Sequence, residues 1–273
     1  MPEKSSRKYH RVLTIAGSDS GGGAGIQADL KTISANGCYG MSVITALTAQ
    51  NTRGVSAIHP VPVEFVRQQI EAVLSDIGTD AVKIGMLFSP ELIRCVALEL
   101  IRFQVKKVVL DPVMVATSGD KLLQDDAVAA LKTHLLPLAT LITPNLPEAG
   151  VLLGRVIATP EDVAPAAEEL AEMGCCNILI KGGHFEDAAS DDLLYLGKEK
   201  RAITLPGVRI NTQNTHGTGC TLSSAIAANM ARGLPVEEAV RQGKDYVTDA
   251  IAAGAEYTIG QGHGPVHHFH RFF

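Results

Sequence analysis

The feature that most limits how this chain can fold is a regular alternation of short β-branched segments with longer helical patterns. Strands are predicted where Val, Ile and Thr cluster, at residues 11–16, 42–50, 81–85, 107–111, 140–145 and 177–183. Helices are predicted where apolar residues recur at helical spacing, at residues 25–37, 62–77, 89–103, 125–137, 160–174, 218–232 and 235–254. This alternation predicts an α/β fold with a central, mostly parallel sheet flanked by helices on both faces.

The domain organisation follows from the same pattern. The chain has 273 residues, of which 46% are hydrophobic, enough for one sizeable core. No linker, repeat or low-complexity segment interrupts the alternation, so residues 11–273 are predicted to form a single domain after an N-terminal tail at 1–10. Residues 192–196 and 202–206 have the pattern of a hairpin within that domain.

Composition and charge exclude several classes of function. The formal net charge is -5 and only 19% of residues are charged, which argues against a nucleic-acid partner. Aromatic residues make up 4% of the chain and tryptophan is absent, so a base-stacking surface is not expected. No apolar run reaches the length of a membrane span, and a membrane partner is therefore not expected either.

The cysteines indicate a reducing compartment. Their number is odd and none forms a CxxC pair, which argues against both a disulfide framework and a structural zinc site. Residues 1–10 contain no apolar segment, so no secretory signal is expected there. We therefore expect a cytosolic location.

Parallel α/β sheets bind ligands at the carboxyl ends of their strands. The first predicted strand is followed by GSDSGGGAGIQAD at 17–29, which lacks the GK[ST] of a P-loop and the glycine spacing of a dinucleotide fingerprint. Glycines allow a backbone to approach a ligand closely. The segment is thus either a flexible turn or, as we favour, a substrate-facing loop with Asp19 and Asp29 as polar contacts.

Three further strand ends carry polar side chains. Asp111 ends one strand and suits a metal ion or a reacting hydroxyl, although a turn residue is the alternative. Asn145 and Glu148 share one face of a helix start, where they could bind hydrated magnesium or could simply cap the helix. Lys181 precedes two glycines and suits a phosphate, although a solvent-exposed turn lysine is equally compatible.

The segment NTHGTGC at 214–220 leads directly into an alanine-rich helix. The first amides of a helix are free and its N-terminus is positive, so the small residues Gly217 and Gly219 would let these amides surround an anion. The same setting is expected to lower the pKa of Cys220 and make it a proton acceptor or a contact near the reacting atom. The alternative is a cap with a buried, inert thiol. Together, the strand-end residues and this helix start suggest phosphoryl transfer from a nucleotide.

Seven motifs in order also match a known family. They are AGSDSGGGAGIQADLKT, VITALTAQNT, KIGML, LDPVM, LITPNLPEA, KGGH and NTHGTGCTLS. With them the chain resembles, from about residue 11 to its C-terminus, the bacterial hydroxymethylpyrimidine/phosphomethylpyrimidine kinases of thiamine biosynthesis, in the ribokinase-like superfamily. The resemblance implies two ATP-dependent phosphorylations, first of 4-amino-5-hydroxymethyl-2-methylpyrimidine and then of its monophosphate. It also implies Mg²⁺ as a cofactor and a homodimer.

The resemblance assigns roles to individual residues. Gln50 would bind the aminopyrimidine edge, because an amide donates and accepts at once. The rest of the substrate site would comprise Thr48, Met86, Val113, Gly17, Ala24, Asp19 and Asp29. The ATP phosphates would contact Asn145, Lys181, Thr215 and Lys244, and magnesium would be held by Asp111 and Glu148. The catalytic anion site would comprise Gly217, Gly219, Cys220 and Lys181.

Cys220 departs from the wider superfamily, whose members usually carry an aspartate base at this position. Only the first phosphorylation must remove a hydroxyl proton, since a phosphate is already an anionic nucleophile. Replacement of Cys220 by Ser is therefore predicted to slow the first step more than the second. Equal loss in both steps indicates an anion-site role.

Two alternatives remain open. Some kinases with a GTGC motif phosphorylate pyridoxal or pyridoxine, in vitamin B6 salvage, although Gln50 favours the aminopyrimidine. A non-catalytic ligand sensor on this fold is the second alternative, and the presence of Glu148, Lys181 and the GTGC motif speaks against it.

Overall fold

A computed structural model describes residues 8–114, 126–183 and 190–273. Within these ranges the chain forms nine strands, namely β1 (Arg11–Asp19), β2 (Tyr39–Asn51), β3 (Gly54–Pro60), β4 (Ala81–Ile84), β5 (Val108–Leu110), β6 (Leu141–Ile142), β7 (Asn177–Ile180), β8 (Asp192–Leu196) and β9 (Arg201–Leu205). They make one sheet in the order β3-β2-β1-β4-β5-β6-β7-β8-β9. The six strands from β2 to β7 in this order are parallel, and β3, β8 and β9 are added antiparallel at the two edges.

Helices cover both faces of the sheet. The described helices are α1 (Gly25–Ala35), α2 (Val63–Asp76), α3 (Pro90–Arg102), α4 (Ala127–Ala130), α5 (Leu146–Leu153), α6 (Val163–Glu172), α7 (Thr218–Ala231) and α8 (Val236–Gly254). One core cluster joins α2 to α6 to the sheet through Leu13 and Ile15 of β1, and a second joins α1, α7 and α8 to it through Val12. Of the helices described, none is both long enough and apolar enough to cross a membrane.

Side-chain hydrogen bonds to backbone amides explain where two of the helices begin. The Ser89 hydroxyl accepts the amide of Leu92 at 3.3 Å, and Pro90 follows it at the first helical position. At α5, Asn145 and Glu148 form a capping box, since each side chain accepts the backbone amide of the other at 2.8 Å. The capping alternative for this pair is therefore confirmed.

Two elements differ from the predictions. Strand β3 was not predicted, and it lies at the sheet edge with its residues exposed or half-buried, so it carries no apolar alternation to detect. The helix predicted at 125–137 is regular only in α4 and continues as a π turn at Leu131–Leu135 and a 3₁₀ turn at Leu136–Leu138. Pro137 lacks the amide that a continued α-helix needs there.

Residues 260–268, which follow α8, form a C-terminal segment that contacts two distant loops. The amides of Gln261 and Gly262 donate to the Thr52 hydroxyl, just beyond β2, at 3.2 and 3.1 Å. The carbonyl of Gly264 accepts the amide of His216 at 3.0 Å, immediately before α7. The segment thereby joins the end of β2 to the start of α7.

Candidate active site

A cavity of about 340 Å³ lies at the carboxyl ends of the parallel strands, where the fold rule predicted it. All but two of the site residues predicted from the sequence line this cavity. They are Gly17, Asp19, Ala24, Thr48, Gln50, Met86, Asp111, Val113, Asn145, Glu148, Lys181, Thr215, Gly217, Gly219 and Cys220. Asp29 and Lys244 are not on its wall, whereas the wall includes several residues that were not predicted, among them Lys83 and His216.

Asp19 organises the glycine-rich loop after β1. Its carboxylate accepts the amides of Gly21, Gly23 and Ala24 at 2.7, 3.0 and 2.8 Å, and it also contacts His216 Nε2 at 2.9 Å. Burial opposes the charge of Asp19, but the hydrogen bonds from His216 and from the loop amides outweigh it and lower the pKa of the carboxyl. Four contacts on one carboxylate make the loop an ordered wall and contradict the flexible-turn alternative.

The end of β2 forms the part of the wall beside this loop. The Thr48 hydroxyl lies 2.9 Å from the carbonyl of Ser18 and 3.1 Å from Gln50 Oε1. The backbone amide of Gln50 donates to the Ser20 hydroxyl at 2.9 Å, and Gln50 Nε2 lies 3.4 Å from His216 Nε2. Gln50 is thus held by the loop after β1 while its side chain faces the cavity.

A cluster of opposite charges occupies the other end of the cavity. Lys181 Nζ lies 3.1 Å from Asp111 Oδ1 and 3.8 Å from Glu148 Oε2. The hydroxyls of Thr143 and Ser223 lie 3.2 and 3.3 Å from the Asp111 carboxylate. Burial raises the pKa of Glu148 and the charge of Asp111 raises it further, while Lys181 acts in the opposite direction. A cation beside these two carboxylates would therefore be favoured electrostatically.

The start of α7 contacts both ends of the cavity. Gly217 precedes the helix at φ +80°, and a Cβ there would collide with the carbonyl oxygen of Gly23. A Cβ on Gly219 would lie 3.5 Å from both Asp111 Oδ2 and Lys181 Nζ. The positive helix end therefore lies directly against the charged cluster, as an anion site requires.

The predicted lowering of the Cys220 pKa is wrong. Burial raises the pKa of the thiol to about 11, and the charges of Asp29 and Asp111 raise it too. Lys83 and a hydrogen bond from the Gly25 amide act in the opposite direction without overcoming burial. Because the thiol stays protonated near neutral pH, the helix start does not by itself make Cys220 a base.

Asp29 was predicted to contact substrate, but its side chain is buried beneath the cavity. Its carboxylate lies 2.8 Å from Lys83 Nζ, 2.6 Å from the Thr14 hydroxyl and 2.8 Å from the Ser224 hydroxyl. Both partners of the Lys83–Asp29 ion pair have fully buried side chains. A carboxylate with its oxygens engaged in this way supports the cavity floor through Lys83 and does not bind a ligand directly.

Lys244 lies away from the cavity wall. Its Nζ contacts the Asp192 carboxylate at 2.7 Å and the Ser190 carbonyl at 3.4 Å. The lysine therefore lies beside the hairpin of β8 and β9. The other oxygen of the Asp192 carboxylate accepts the amide of Gly182 at 2.8 Å. The KGGH motif ends at His184, which lies outside the described residues.

The geometry can now be compared with known proteins. A family model described as phosphomethylpyrimidine kinase matches residues 19–267. The chain belongs to the phosphomethylpyrimidine kinase family. The chain is 56% identical over 263 residues to the hydroxymethylpyrimidine/phosphomethylpyrimidine kinase of Rhizobium meliloti, and the alignment covers 96% of this chain and 98% of that one. It is 53% identical over 257 residues to the thiamine biosynthesis bifunctional protein ThiED of Geobacter sulfurreducens, covering 94% of this chain and 52% of that protein.

The fold of this phosphomethylpyrimidine kinase family member is also similar to a solved kinase. An ADP complex of Bacillus subtilis pyridoxal kinase superposes with a TM-score of 0.88 at 38% identity, covering 96% of this chain and 98% of that one. The predicted ribokinase-like α/β fold is thereby confirmed.

Proposed function

We propose that this chain transfers a phosphoryl group from ATP to 4-amino-5-hydroxymethyl-2-methylpyrimidine, and then a second one to the resulting monophosphate, in thiamine biosynthesis. The observation that carries the proposal is its 56% identity, over almost the whole of both chains, to a protein named for both kinase activities. The charged cluster and the α7 start lie in the same cavity, which disfavours a non-catalytic sensor.

The pyrimidine ring would lie against the glycine-rich loop and the end of β2. Gln50 supplies a donor and an acceptor for an amino group beside a ring nitrogen. Met86 and Val113 supply apolar contacts for the ring, and both line the cavity. The 5-hydroxymethyl group would then extend toward Cys220 and the start of α7.

The phosphates of ATP would lie at the α7 start. Amides fixed in advance there stabilise the charge that develops on a transferring phosphoryl group. Lys181 adds a positive charge within 3.5 Å of the Cβ position of Gly219. Asn145 and Thr215 line the same cavity and would complete the phosphate contacts. Lys244, which contacts Asp192, would have to exchange that partner to reach a phosphate.

Mg²⁺ is the cofactor that this chemistry favours. Magnesium in kinases is held by one or two carboxylates together with substrate phosphates, and Asp111 and Glu148 provide such a pair. Burial and the charge of Asp111 raise the pKa of Glu148, and a cation bound between the two carboxylates would oppose this effect. When bound, the ion would neutralise phosphate charge. Lys181 would then be released from the carboxylates to contact phosphate.

Pyridoxal is the second candidate acceptor. It is favoured by the similarity to a pyridoxal kinase at a TM-score of 0.88. Pyridoxal also carries a hydroxymethyl group on a six-membered ring, but it lacks the exocyclic amino group that Gln50 would bind. We therefore expect it to be the poorer acceptor.

The test is ATP consumption with three acceptors supplied separately, namely hydroxymethylpyrimidine, its monophosphate and pyridoxal, with products resolved by mass. Turnover of both pyrimidines and weak turnover of pyridoxal is the expected result. Turnover of pyridoxal alone would move the function to vitamin B6 salvage. ATP consumption by none of the three would refute the kinase proposal.

We also propose, from the family resemblance and the cysteine pattern, that the protein works as a homodimer in the cytosol. Sedimentation equilibrium would test the assembly, and cell fractionation would test the location.

A further inference from the structure

His216 was not among the residues predicted from the sequence, yet the side chains of Asp19 and Gln50 meet at one of its ring nitrogens. Nε2 lies 2.9 Å from Asp19 Oδ2 and 3.4 Å from the side-chain amide of Gln50. The Gln50 amide in turn lies 3.1 Å from the Thr48 hydroxyl. The side chain of His216 is 12% exposed and lines the cavity, so this contact is sheltered from bulk water.

Counting protons decides which end of the Gln50 amide faces His216. Asp19 has a lowered pKa and is ionised, so it can only accept, and His216 Nε2 must carry the hydrogen between them. An amide NH₂ turned toward that nitrogen would place two donors against each other. The two ends of a glutamine amide have the same shape, and hydrogen-bond partners determine which is oxygen. The amide oxygen therefore belongs on the His216 side.

The Thr48 side of the amide gives the same result. The Thr48 hydroxyl has one proton and donates it to the Ser18 carbonyl at 2.9 Å, so its oxygen is free to accept. With NH₂ on this side, Gln50 donates to Thr48, and each donor in the network faces an acceptor. With oxygen on this side, Ser18 and Gln50 would compete for a single proton. One orientation of the amide satisfies both neighbours, and the other satisfies neither fully.

The backbone holds the imidazole ring of His216 in place. The amide of His216 donates to the Gly264 carbonyl at 3.0 Å, in the C-terminal segment, and the next residue is the fixed start of α7. The ring also lies against Gly23, where any Cβ would collide with it. The imidazole can therefore serve as a fixed reference for the Gln50 amide.

We propose that His216 is a positioning residue for substrate recognition, which acts by fixing the orientation of the Gln50 amide. This proposal rests on the proposed function and deepens it. The free acceptor of Gln50 then lies on the His216 side of the cavity and the free donor on the Thr48 side. The exocyclic amino group of the pyrimidine is accordingly directed toward His216, and the adjacent ring nitrogen is directed toward Thr48.

The test compares two acceptors, hydroxymethylpyrimidine and its analogue without the amino group. His216→Phe keeps a planar ring but removes the donor, which frees the Gln50 amide to rotate. We expect the preference for the amino substrate, as a ratio of kcat/KM values, to fall about tenfold or more. The change should appear mainly in KM for the pyrimidine, with KM for ATP unchanged. His216→Gln, which restores an N–H donor, should recover part of the preference.

Two controls separate positioning from a general structural effect. His263→Phe makes the same substitution at an exposed histidine of the C-terminal segment and should leave the preference unchanged. In a Gln50→Ala background, His216→Phe should have little further effect, because residues that act through one another are not additive. Additive losses, or an equal rise in KM for ATP, would overturn the proposal. If the wild-type protein phosphorylates neither pyrimidine, the proposed function itself fails, and the positioning role fails with it.

Discussion

At the scale of single residues, the protonation state of Cys220 bears most directly on the chemistry. Its pKa is raised to about 11, chiefly by burial. A thiol in this state can donate a hydrogen bond to a phosphate oxygen but holds its own proton. In place of the greater loss in the first step predicted from the sequence, we therefore expect Cys220→Ser to slow both phosphorylations by similar factors, of about tenfold or less, because serine keeps a donor at the same position. Single-turnover rates with the pyrimidine and with its monophosphate would measure the two effects.

The pH dependence of the first step gives an independent check on that expectation. If the thiolate were the base, its fraction, and hence the rate, would rise about tenfold per pH unit between roughly pH 7 and 9. That slope would disappear in the serine variant. A steep rise in the wild type alone, or a loss confined to the first step, would contradict the anion-site role.

Sequence patterns located the polar residues at strand ends but not their partners. Lys83 lies within the strand pattern AVKIG, where a single charge gives no sign that it pairs with Asp29 across 54 residues. In the sequence, Asp29 lies in a predicted helix close to the glycine-rich loop, which suggests a ligand contact. In the structure, packing of α1 against α7 buries its side chain. His216 was visible inside a recognised motif, but its role depends on Asp19 and Gln50, which only the fold brings to it.

At the scale of secondary structure elements, the start of α7 is the element that connects both parts of the cavity. Gly217→Ala should lower kcat/KM by on the order of tenfold to a hundredfold, because the added Cβ collides with the Gly23 carbonyl and displaces the helix start. Steady-state kinetics together with the urea dependence of unfolding would separate loss of activity from loss of stability.

Gly233 provides a matched control just beyond the other end of α7. It also has a positive φ, +96°, but a Cβ there meets no atom within 4 Å among the described residues. Gly233→Ala should therefore cost about 1 kcal/mol of stability through backbone strain and leave turnover unchanged. Equal losses of activity in both variants would show that strain, and not the collision, is responsible.

The elements themselves were largely predictable, since the parallel strands and their helices have strong apolar patterns. The exposed edge strand β3 was not, because it has no periodic buried face, and the π turn after α4 was not, because its buried Leu131 and Leu135 have the same spacing as in an α-helix. The capping box at Asn145 and Glu148 could be recognised as one of two alternatives. The sequence could not exclude that Glu148 has a second role, since its carboxylate also lies 3.8 Å from Lys181.

At the scale of the whole molecule, buried histidine links stability to pH. His268 is 5% exposed, and burial lowers its pKa to about 3, with the charges of Lys31 and neighbouring histidines acting in the same direction. The unfolded chain binds a proton at this residue below about pH 6.5, while the folded protein does not. The free energy of unfolding should therefore fall as pH drops from about 6.5, by up to a few kcal/mol from this residue.

His268→Leu removes that titration and should flatten the decline in stability between roughly pH 7 and 5. Urea unfolding curves at several pH values would measure the slope. His59→Asn, at an exposed position on β3, should keep the wild-type slope. An unchanged slope in His268→Leu would mean that other groups govern the loss of stability in acid.

The contact between His216 and Asp19 spans 197 residues, and the bond between Ser224 and Asp29 spans 195. The chain must be synthesised through α7 before both bonds can form. The central strand β1 can pair with β2 early, yet the wall that α7 and the C-terminal segment complete forms only after those elements have been synthesised. Ligand binding thus depends on elements that follow the strands, and a chain terminated before α7 can retain most of the sheet but lacks the site.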